Sequence, residues 1–337
     1  MQEEIAEQAD LFAAWATGGG HAEPAVLEDI RRFRPHTVLT VARGSSHRAA
    51  EYGKYLFEIL LGVPTGSTSP SAVTLFGSVP KAAGVLAVSV SQSGESPDIV
   101  AEAEALRRGG ALIVAITNAP ESPLAKVAHH VVSLDAGPEL AVAATKSFTA
   151  QCAALSDLAF GWAGRRLDRQ AVADAVRAAT RSSFPVEAVE VLAQPVDRTR
   201  FLLAIGRGPS APIAAEGALK IMETSAIPAL GYSAADFAHG PRAVIGRGVP
   251  VILVVPPGRA SASVASLAVD LVYQGATVVA LGPVPEARLV MPEVACDELL
   301  APIAQAVHLQ RMAWHLSVMR GLDPDSPPNL TKVTRTV

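Results

Sequence analysis

The sequence is poor in aromatic residues, in cysteine and in net charge. Phe, Trp and Tyr make up only 5% of the 337 residues, and Cys152 and Cys296 are the only cysteines. A disulfide-rich secreted domain is therefore excluded, and two buried thiols in a reducing compartment are expected. The formal net charge of −4 offers no basic surface for nucleic acid or an anionic membrane, so neither is expected as a partner.

Long apolar runs are also missing. No run in the sequence approaches the ~18 residues that a membrane-spanning helix needs, and the acidic segment Met1–Ile5 is unlike a secretory signal. Half of the residues are apolar, so a sizeable core of Ala, Val, Leu and Ile is expected. The length suggests about two domains. We expect a cytoplasmic protein.

Several segments of the first half recur in the second half at nearly constant spacing. They are Arg43–Ser46 with Arg207–Ser210 and Gly94 with Gly258, both 164 positions apart, and Gly110–Ala115 with Gly275–Ala280, 165 positions apart. Registered matches of this kind predict two copies of one structural unit.

Short β-branched runs alternate with longer helical stretches within each copy, as in Thr37–Val41, Val85–Val90 and Phe201–Ile205. This alternation predicts an α/β fold of two tandem domains, each a doubly wound parallel sheet flanked by helices. The predicted boundaries are an N-terminal helical segment over 1–30, domains over 31–165 and 191–322, a helical linker over 166–190, and an extended tail over 323–337, whose prolines exclude a helix.

The run Ser91-Gln92-Ser93-Gly94-Glu95-Ser96 follows an apolar strand and precedes a helical pattern. A strand that turns into a helix presents backbone N–H groups at a positive helix end, which suits a phosphate. Ser46 also follows a predicted strand, and ligands of such sheets bind beyond the carboxyl ends of the strands. These residues predict a phosphorylated small molecule as ligand.

The predicted helix over Ala214–Ser225 carries Glu216, Lys220 and Glu223 at i, i+4 and i+7, so the three side chains share one face. Its apolar residues Ala218, Leu219 and Met222 are expected to pack in the core. The alternative is a solvent-exposed Glu216–Lys220 pair worth a few tenths of a kcal/mol.

Two further residues are candidates for chemistry. His239 precedes Gly-Pro in a predicted loop and could move protons near neutral pH. Lys332 lies in the predicted tail and could form a Schiff base or bind an anion. A surface histidine and a solvated lysine are the alternatives. His129 and His130 lack neighbours at metal-ligand spacing, so no metal is expected.

Together these motifs resemble the sugar isomerase (SIS) family, and in particular the isomerase half of glutamine–fructose-6-phosphate aminotransferases. The motifs that carry the resemblance are Gly44–Ser46, Ser91–Glu95, Ala143–Thr149, Glu216–Lys220, His239–Pro241 and Asn329–Lys332.

The resemblance implies a role for each matching residue. The sugar phosphate would be held by residues on the serine-rich segments and beside them, namely Ser45, Ser46, Ser91, Gln92, Ser93, Ser96, Ala143, Ala144, Glu216 and Lys220. Glu223 would move a proton between C1 and C2, and Lys332 would form a Schiff base with the open-chain sugar. His239 would assist ring opening from the second subunit of a homodimer. No metal or organic cofactor is implied.

Two positions depart from the aminotransferase pattern. Ala144 stands in place of a serine, and Ser96 stands in place of a threonine. The sequence also opens on the isomerase half without the cysteine of a glutaminase domain. We therefore expect a glucosamine-6-phosphate deaminase of amino-sugar catabolism. The alternatives are a fructosamine-6-phosphate deglycase, an ammonia-dependent aminotransferase-like enzyme and, from another class, a sugar-phosphate-sensing regulator.

Overall fold

The computed structural model describes residues 1–18 and 20–332, apart from the side chain of Arg198. The chain divides into two compact units. The first-sheet unit comprises Trp15–Glu139, Lys146–Arg169 and residues 331–332; the second-sheet unit comprises Met1–Ala14, Leu140–Thr145 and Gln170–Leu330. The last five residues of the predicted tail, 333–337, lie outside the described residues.

Five strands and seven helices precede residue 163. In chain order they are α1 (Gln2–Thr17), α2 (Pro24–Phe33), β1 (Thr37–Val41), α3 (Gly44–Leu61), β2 (Thr65–Ser67), α4 (Pro70–Thr74), β3 (Val85–Val90), α5 (Pro97–Arg108), β4 (Leu112–Thr117), α6 (Pro123–Val127), β5 (His130–Ser133) and α7 (Lys146–Trp162). The strands form one sheet in the order β2-β1-β3-β4-β5, with every neighbouring pair parallel.

The remaining elements repeat this plan. They are α8 (Arg169–Arg181), α9 (Glu187–Thr199), β6 (Leu202–Gly206), α10 (Ser210–Ser225), β7 (Ala229–Ser233), α11 (Ala234–Ala238), β8 (Pro250–Val254), α12 (Ser261–Tyr273), β9 (Thr277–Leu281), β10 (Leu289–Met291) and α13 (Ala301–Met319). The second sheet is parallel throughout and has the order β7-β6-β8-β9-β10, which is the order of the first sheet. The predicted tandem α/β fold is confirmed.

Each unit packs the helix after its first strand against its last long helix at one glycine. A Cβ added to Gly53 of α3 would lie 2.8 Å from Leu155 Cδ2 of α7, and one added to Gly217 of α10 would lie 2.7 Å from Leu309 Cδ1 of α13. At either position the leucine would have to shift to admit even a methyl group, because the interior is close-packed. The same contact in both units shows that the sequence repeat is also a packing repeat.

The strands are buried as expected where helices cover both faces of a parallel sheet. All six residues of β3 are buried, and so are all five of β6 and of β8. The sequence pattern did not predict the short edge strand β2, Thr65-Gly66-Ser67, because this strand contains no apolar residue.

Two expectations about side-chain burial are wrong. Met222 was expected in the core but is 42% exposed, and Leu219 is only half-buried, because the buried apolar face of α10 is formed instead by Ile213, Gly217 and Ile221. Cys152 is buried as expected, but Cys296 is only partly buried. In the described part of the chain, no helix is both long and apolar enough to cross a membrane.

Candidate functional site

The serine loop, Ser91–Ser96, leaves the carboxyl end of β3, and the turn Ala42–Gly44 leaves the carboxyl end of β1. These strands are neighbours at the point where the strand order reverses, which is where ligands of doubly wound sheets bind. An ion pair joins the two segments, since Arg43 Nε lies 2.9 Å from Oδ2 of the buried Asp98 at the start of α5. The structure therefore brings the predicted phosphate-binding serines to one edge of the sheet.

The serine loop is held by its own hydroxyl groups. The Gly94 N–H donates to Ser91 Oγ at 3.1 Å, and the Glu95 N–H donates to Ser93 Oγ at 3.3 Å. Gly94 has a φ of +63°, and a Cβ there would lie 2.1 Å from Ser122 Oγ. Glycine is required at this bend because a side chain would meet both backbone strain and a clash.

The hydroxyl groups at this edge are arranged to donate to an anion. Ser91 and Ser93 accept hydrogen bonds from the loop, and Ser46 Oγ accepts one from Gln151 Nε2 at 3.0 Å. Each hydroxyl therefore keeps its own hydrogen for another acceptor. Ser96 begins α5 without a side-chain capping bond.

The remaining predicted residues of this edge are accessible. Ser45, Ser46, Gln92, Ser93 and Ser96 are all half-buried, whereas Ser91 is 7% exposed. The helices α3 and α5 both begin here, so their positive ends add to the donors. This edge can bind a phosphate group.

The second-sheet unit carries a buried ion triad on α10, formed by Glu216, Lys220 and Glu223. Lys220 Nζ lies 3.5 Å from Glu216 Oε1 and donates a hydrogen bond to Glu223 Oε2. Glu216 and Lys220 are each 1% exposed, so the alternative of a solvent-exposed Glu216–Lys220 pair is wrong. A buried ammonium is tolerated because two carboxylates compensate its charge.

Glu223 is the part of the ion triad that solvent reaches. Its side chain is 23% exposed, against 1% for Lys220. A carboxylate that is held by a buried cation and yet accessible can accept a proton from a ligand and return it. The arrangement matches the requirements of a proton-transferring base.

His239 is exposed and lies at the C-terminal end of α11, where its N–H donates to Asp236 O at 3.1 Å. Among the described residues, its ring makes no hydrogen bond or ion pair with another side chain. The His239 ring therefore makes no hydrogen bond or ion pair with the ion triad.

Ala143 and Ala144 belong to the second-sheet unit, although the sequence places them between two segments of the other unit. Glu4 Oε1 accepts hydrogen bonds from the Leu140 and Ala141 N–H groups, and Gln310 Nε2 donates to Thr145 O at 3.0 Å. Their short segment is therefore fixed at both ends by α1 and α13.

Lys332 belongs to the first-sheet unit, where its Nζ lies 3.0 Å from Glu139 Oε2. Three further residues contact predicted site residues or join their loops, although none was singled out from the sequence. They are Glu139, Gln151 and Arg43. The one available signal was the recurrence of Arg43 as Arg207 in the repeat.

The histidine pair 129–130 has structural contacts. His129 Nδ1 accepts a hydrogen bond from the Ile113 N–H at 2.9 Å, and burial lowers the pKa of this ring. His130 Nε2 lies 3.0 Å from Asp29 Oδ2. Across residues 1–18 and 20–332, no group of three or more His, Cys, Asp or Glu side chains could hold a metal ion.

The chain matches the SIS domain family over residues 33–160 and 198–290, and it belongs to that family. The glutamine–fructose-6-phosphate aminotransferase of Thermosynechococcus vestitus is 36% identical over 335 residues, which cover 92% of this chain and 52% of that protein. The chain thus spans about half the length of the curated relatives that it matches.

Two solved structures extend the comparison. A candidate phosphosugar isomerase from Silicibacter pomeroyi is 36% identical with a TM-score of 0.88, covering 96% of this chain and 99% of the other. The C-terminal domain of glucosamine-fructose-6-phosphate aminotransferase from Francisella tularensis is 25% identical with a TM-score of 0.81, covering 96% and 97%. The family membership predicted from the motifs is confirmed.

Proposed function

We propose that the protein is a glucosamine-6-phosphate deaminase, which converts glucosamine 6-phosphate and water to fructose 6-phosphate and ammonia. The observation that carries an enzymatic role is the ion triad, in which the buried Lys220 holds the accessible carboxylate of Glu223. A sensor that only binds its ligand has no use for such a group, so the regulator is the weaker hypothesis.

Phosphate binding is assigned to the first-sheet unit. The serine loop and Ser46 offer hydroxyl hydrogens, and two helices begin at the same edge. These groups suit a phosphate dianion, whose oxygens accept charge-assisted hydrogen bonds. Binding one end of the sugar restricts the position of C1 and C2 before any chemistry occurs.

Proton transfer is assigned to Glu223. In the open-chain aldehyde, Glu223 removes the proton from C2 and returns it to C1, and the C2 amine becomes a ketose imine. The Lys332 amine then displaces ammonia at C2, and water hydrolyses the resulting Schiff base to the ketone of fructose 6-phosphate. One carboxylate serves both proton transfers because C1 and C2 are adjacent carbons of the same enolamine intermediate.

His239 is assigned to ring opening, where it would move the proton of the ring oxygen. Its exposure supports delivery to a neighbouring subunit, so the proposal includes a homodimer. Lys332 would exchange with the C2 amine to form a Schiff base, which water then hydrolyses.

The direction of the reaction follows from mass action, since water is the solvent and ammonia is dilute. Cys152 lies buried within α7, and Cys296 is partly buried, whereas a reactive thiolate needs an electropositive and accessible setting.

The direct test is to incubate the purified protein with glucosamine 6-phosphate and to measure ammonia and fructose 6-phosphate. Release of both in equal amounts is expected. Release of an amino acid from a fructosamine 6-phosphate, without ammonia from glucosamine 6-phosphate, would replace the deaminase by the deglycase. Binding without turnover of either substrate would favour the regulator.

The homodimer has a separate test. Glu223→Gln and His239→Asn are each prepared as inactive variants and then mixed under conditions that exchange subunits. If His239 acts in the neighbouring subunit, mixed dimers contain one intact site and about a quarter of the sites recover activity. No recovery in exchanged dimers would place His239 in the site of its own subunit.

A further inference from the structure

We infer that Glu139 is a positioning residue for Lys332: it holds the lysine amine in place and takes one proton from its ammonium before the Schiff base forms. The inference rests on the proposed function, because the Schiff base is part of that proposal. The family resemblance implied no role for the Glu139 carboxylate.

The carboxylate of Glu139 is buried and fixed by α7. Its side chain has 0% exposure, and it accepts hydrogen bonds from the Ser147 N–H at 3.1 Å and from Ser147 Oγ at 2.6 Å. Ser147 lies in the first turn of α7, where the positive end of the helix favours a negative charge. The bonds from Ser147 therefore hold the carboxylate in place at the start of α7.

Lys332 completes this arrangement. Its Nζ donates to Glu139 Oε2 at 3.0 Å, and its side chain is 25% exposed. Residues 322–332 contain no helix or strand, so regular structure does not position the lysine. The Glu139 carboxylate thus helps to fix where the amine lies.

The Glu139–Lys332 pair differs from an ordinary surface ion pair, which contributes little to stability. The Glu139 carboxylate has no solvent contact, so one partner of the pair is shielded from water. The bonds from Ser147 tie this carboxylate to the start of α7, and the bond to Lys332 ties the lysine amine to the same carboxylate. A carboxylate at hydrogen-bond distance from an amine is placed both to hold it and to exchange a proton with it.

The Lys332 ammonium gives one proton to the Glu139 carboxylate, and the neutral amine attacks the C2 carbonyl of open-chain fructose 6-phosphate. The Nζ–C2 bond forms, and one Nζ proton passes to the carbonyl oxygen. That oxygen leaves as water with the proton that Glu139 had taken, and the protonated Nζ=C2 Schiff base remains. The reverse sequence is its hydrolysis.

The experiment traps this intermediate. The full chain and its Glu139→Gln variant are mixed with fructose 6-phosphate and sodium borohydride, and reduced sugar on Lys332 is quantified by peptide mass spectrometry. In Glu139→Gln a carboxylate no longer holds the lysine amine, so the rate of trapping and kcat should both fall by about 100-fold. KM should change by less than about two-fold, because the proposed phosphate contacts remain. Glu139→Asp keeps the charge and should recover part of the rate.

Two controls separate a chemical role from a structural one. Glu121→Gln removes an exposed carboxylate of the same unit and should behave like the unchanged protein. Ser147→Ala removes the 2.6 Å bond but leaves the pair with Lys332, so it should lower stability more than it lowers the trapping rate. Thermal unfolding of each variant checks that it is folded.

The outcomes distinguish the two proposals. Unchanged trapping and unchanged kcat in a folded Glu139→Gln variant of an active protein would overturn the role of Glu139 alone. No ammonia release and no trapping by the unchanged protein would overturn the deaminase and the inference with it. Trapping on another lysine would overturn the assignment of Lys332.

Discussion

The two units share one architecture and carry different chemistry. Their sheets have the same strand order, and α3 packs on α7 as α10 packs on α13, through the same glycine–leucine contact. With those glycines aligned, the ion triad of α10 corresponds to three uncharged residues of α3, Tyr52, Leu56 and Ile59. The ionisable side chains of the triad are thus absent from the aligned positions of α3.

The loops at the sheet edge also differ between the units, and here the accessible polar groups lie in the first-sheet unit. In the first-sheet unit the serine loop is open, and Ser46 is half-buried. In the second-sheet unit, Ser210, the counterpart of Ser46, is fully buried and donates to Gln305 Oε1 at 2.7 Å. The fold alone therefore does not make an anion site; the site needs hydroxyl groups that are accessible and still have a hydrogen to donate.

A carboxylate of the protein occupies the loop that corresponds to the serine loop. Glu298 Oε2 accepts a hydrogen bond from the Arg259 N–H at 2.7 Å, directly after Gly258, and Glu298 Oε1 lies 2.9 Å from Arg259 Nε. An internal anion thus binds where an external one would bind in the first-sheet unit. The two corresponding loops therefore differ in whether a carboxylate of the protein itself occupies them.

The largest effect is expected for Glu223→Gln, which tests whether proton transfer belongs to the second-sheet unit alone. Loss of the base should lower kcat for ammonia release by about 1,000-fold. Binding of glucose 6-phosphate, measured by calorimetry, should change little because the variant leaves intact the phosphate contacts proposed for the first-sheet unit. If the variant retained full kcat, proton transfer could not be assigned to the second-sheet unit.

The next prediction concerns how the free energy of unfolding depends on pH. It rests on a position at which α13 and α7 carry different residues. His308 of α13 is buried where the aligned position of α7 has Ala154, and burial, helped by Arg311, lowers the pKa of His308 to about 4. The unfolded chain, with an ordinary pKa of 6.5, binds the proton more readily. Stability is therefore full above pH 6.5 and falls by about 3 kcal/mol as the pH drops toward 4.

Replacement of His308 by alanine, the residue of the aligned position, should flatten this acid limb even though the smaller side chain lowers stability at every pH. Thermal unfolding midpoints of both proteins between pH 4 and pH 8 would give the two slopes. Equal slopes would mean that another group causes the loss in acid.

A matched pair of serine variants tests the sheet edge. Ser46→Ala should raise KM by about 10-fold or more, since a hydrogen bond to a charged group is lost, and should leave kcat nearly unchanged. Ser210→Ala should leave KM unchanged and lower the free energy of unfolding by about 1 kcal/mol, because Gln305 Oε1 loses its donor. Similar changes in KM for both variants would show that the edges are equivalent.

The smallest effect is expected for Glu298→Ala, which would reopen the filled loop. The Arg259 side chain is 90% exposed, so its ion pair contributes little. Inorganic phosphate should raise the unfolding temperature of this variant by a few degrees more than that of the unchanged protein, because the vacated N–H can bind an oxygen. Equal rises in unfolding temperature for the two proteins would show that this loop does not bind phosphate in the way proposed for the serine loop.

Much of this molecule could be predicted from periodicity and spacing. The apolar runs that became β1, β3, β6 and β8 are strong signals because burial on both faces demands them, whereas β2 has no apolar residue and gave none. The helix α10 was predicted with its three charged residues on one face, since helical spacing fixes which residues share a face.

The sequence by itself determined the tandem α/β plan, the serine loop after a strand, and the alignment of Glu216, Lys220 and Glu223. These features follow from the local geometry of strands, turns and helices. Only the tertiary structure decided that Lys220 is buried while Met222 is exposed, that Glu298 fills one loop, and that Glu139 meets Lys332 from 193 positions away. Burial and distant contacts depend on which elements pack together, and no local pattern contains that information.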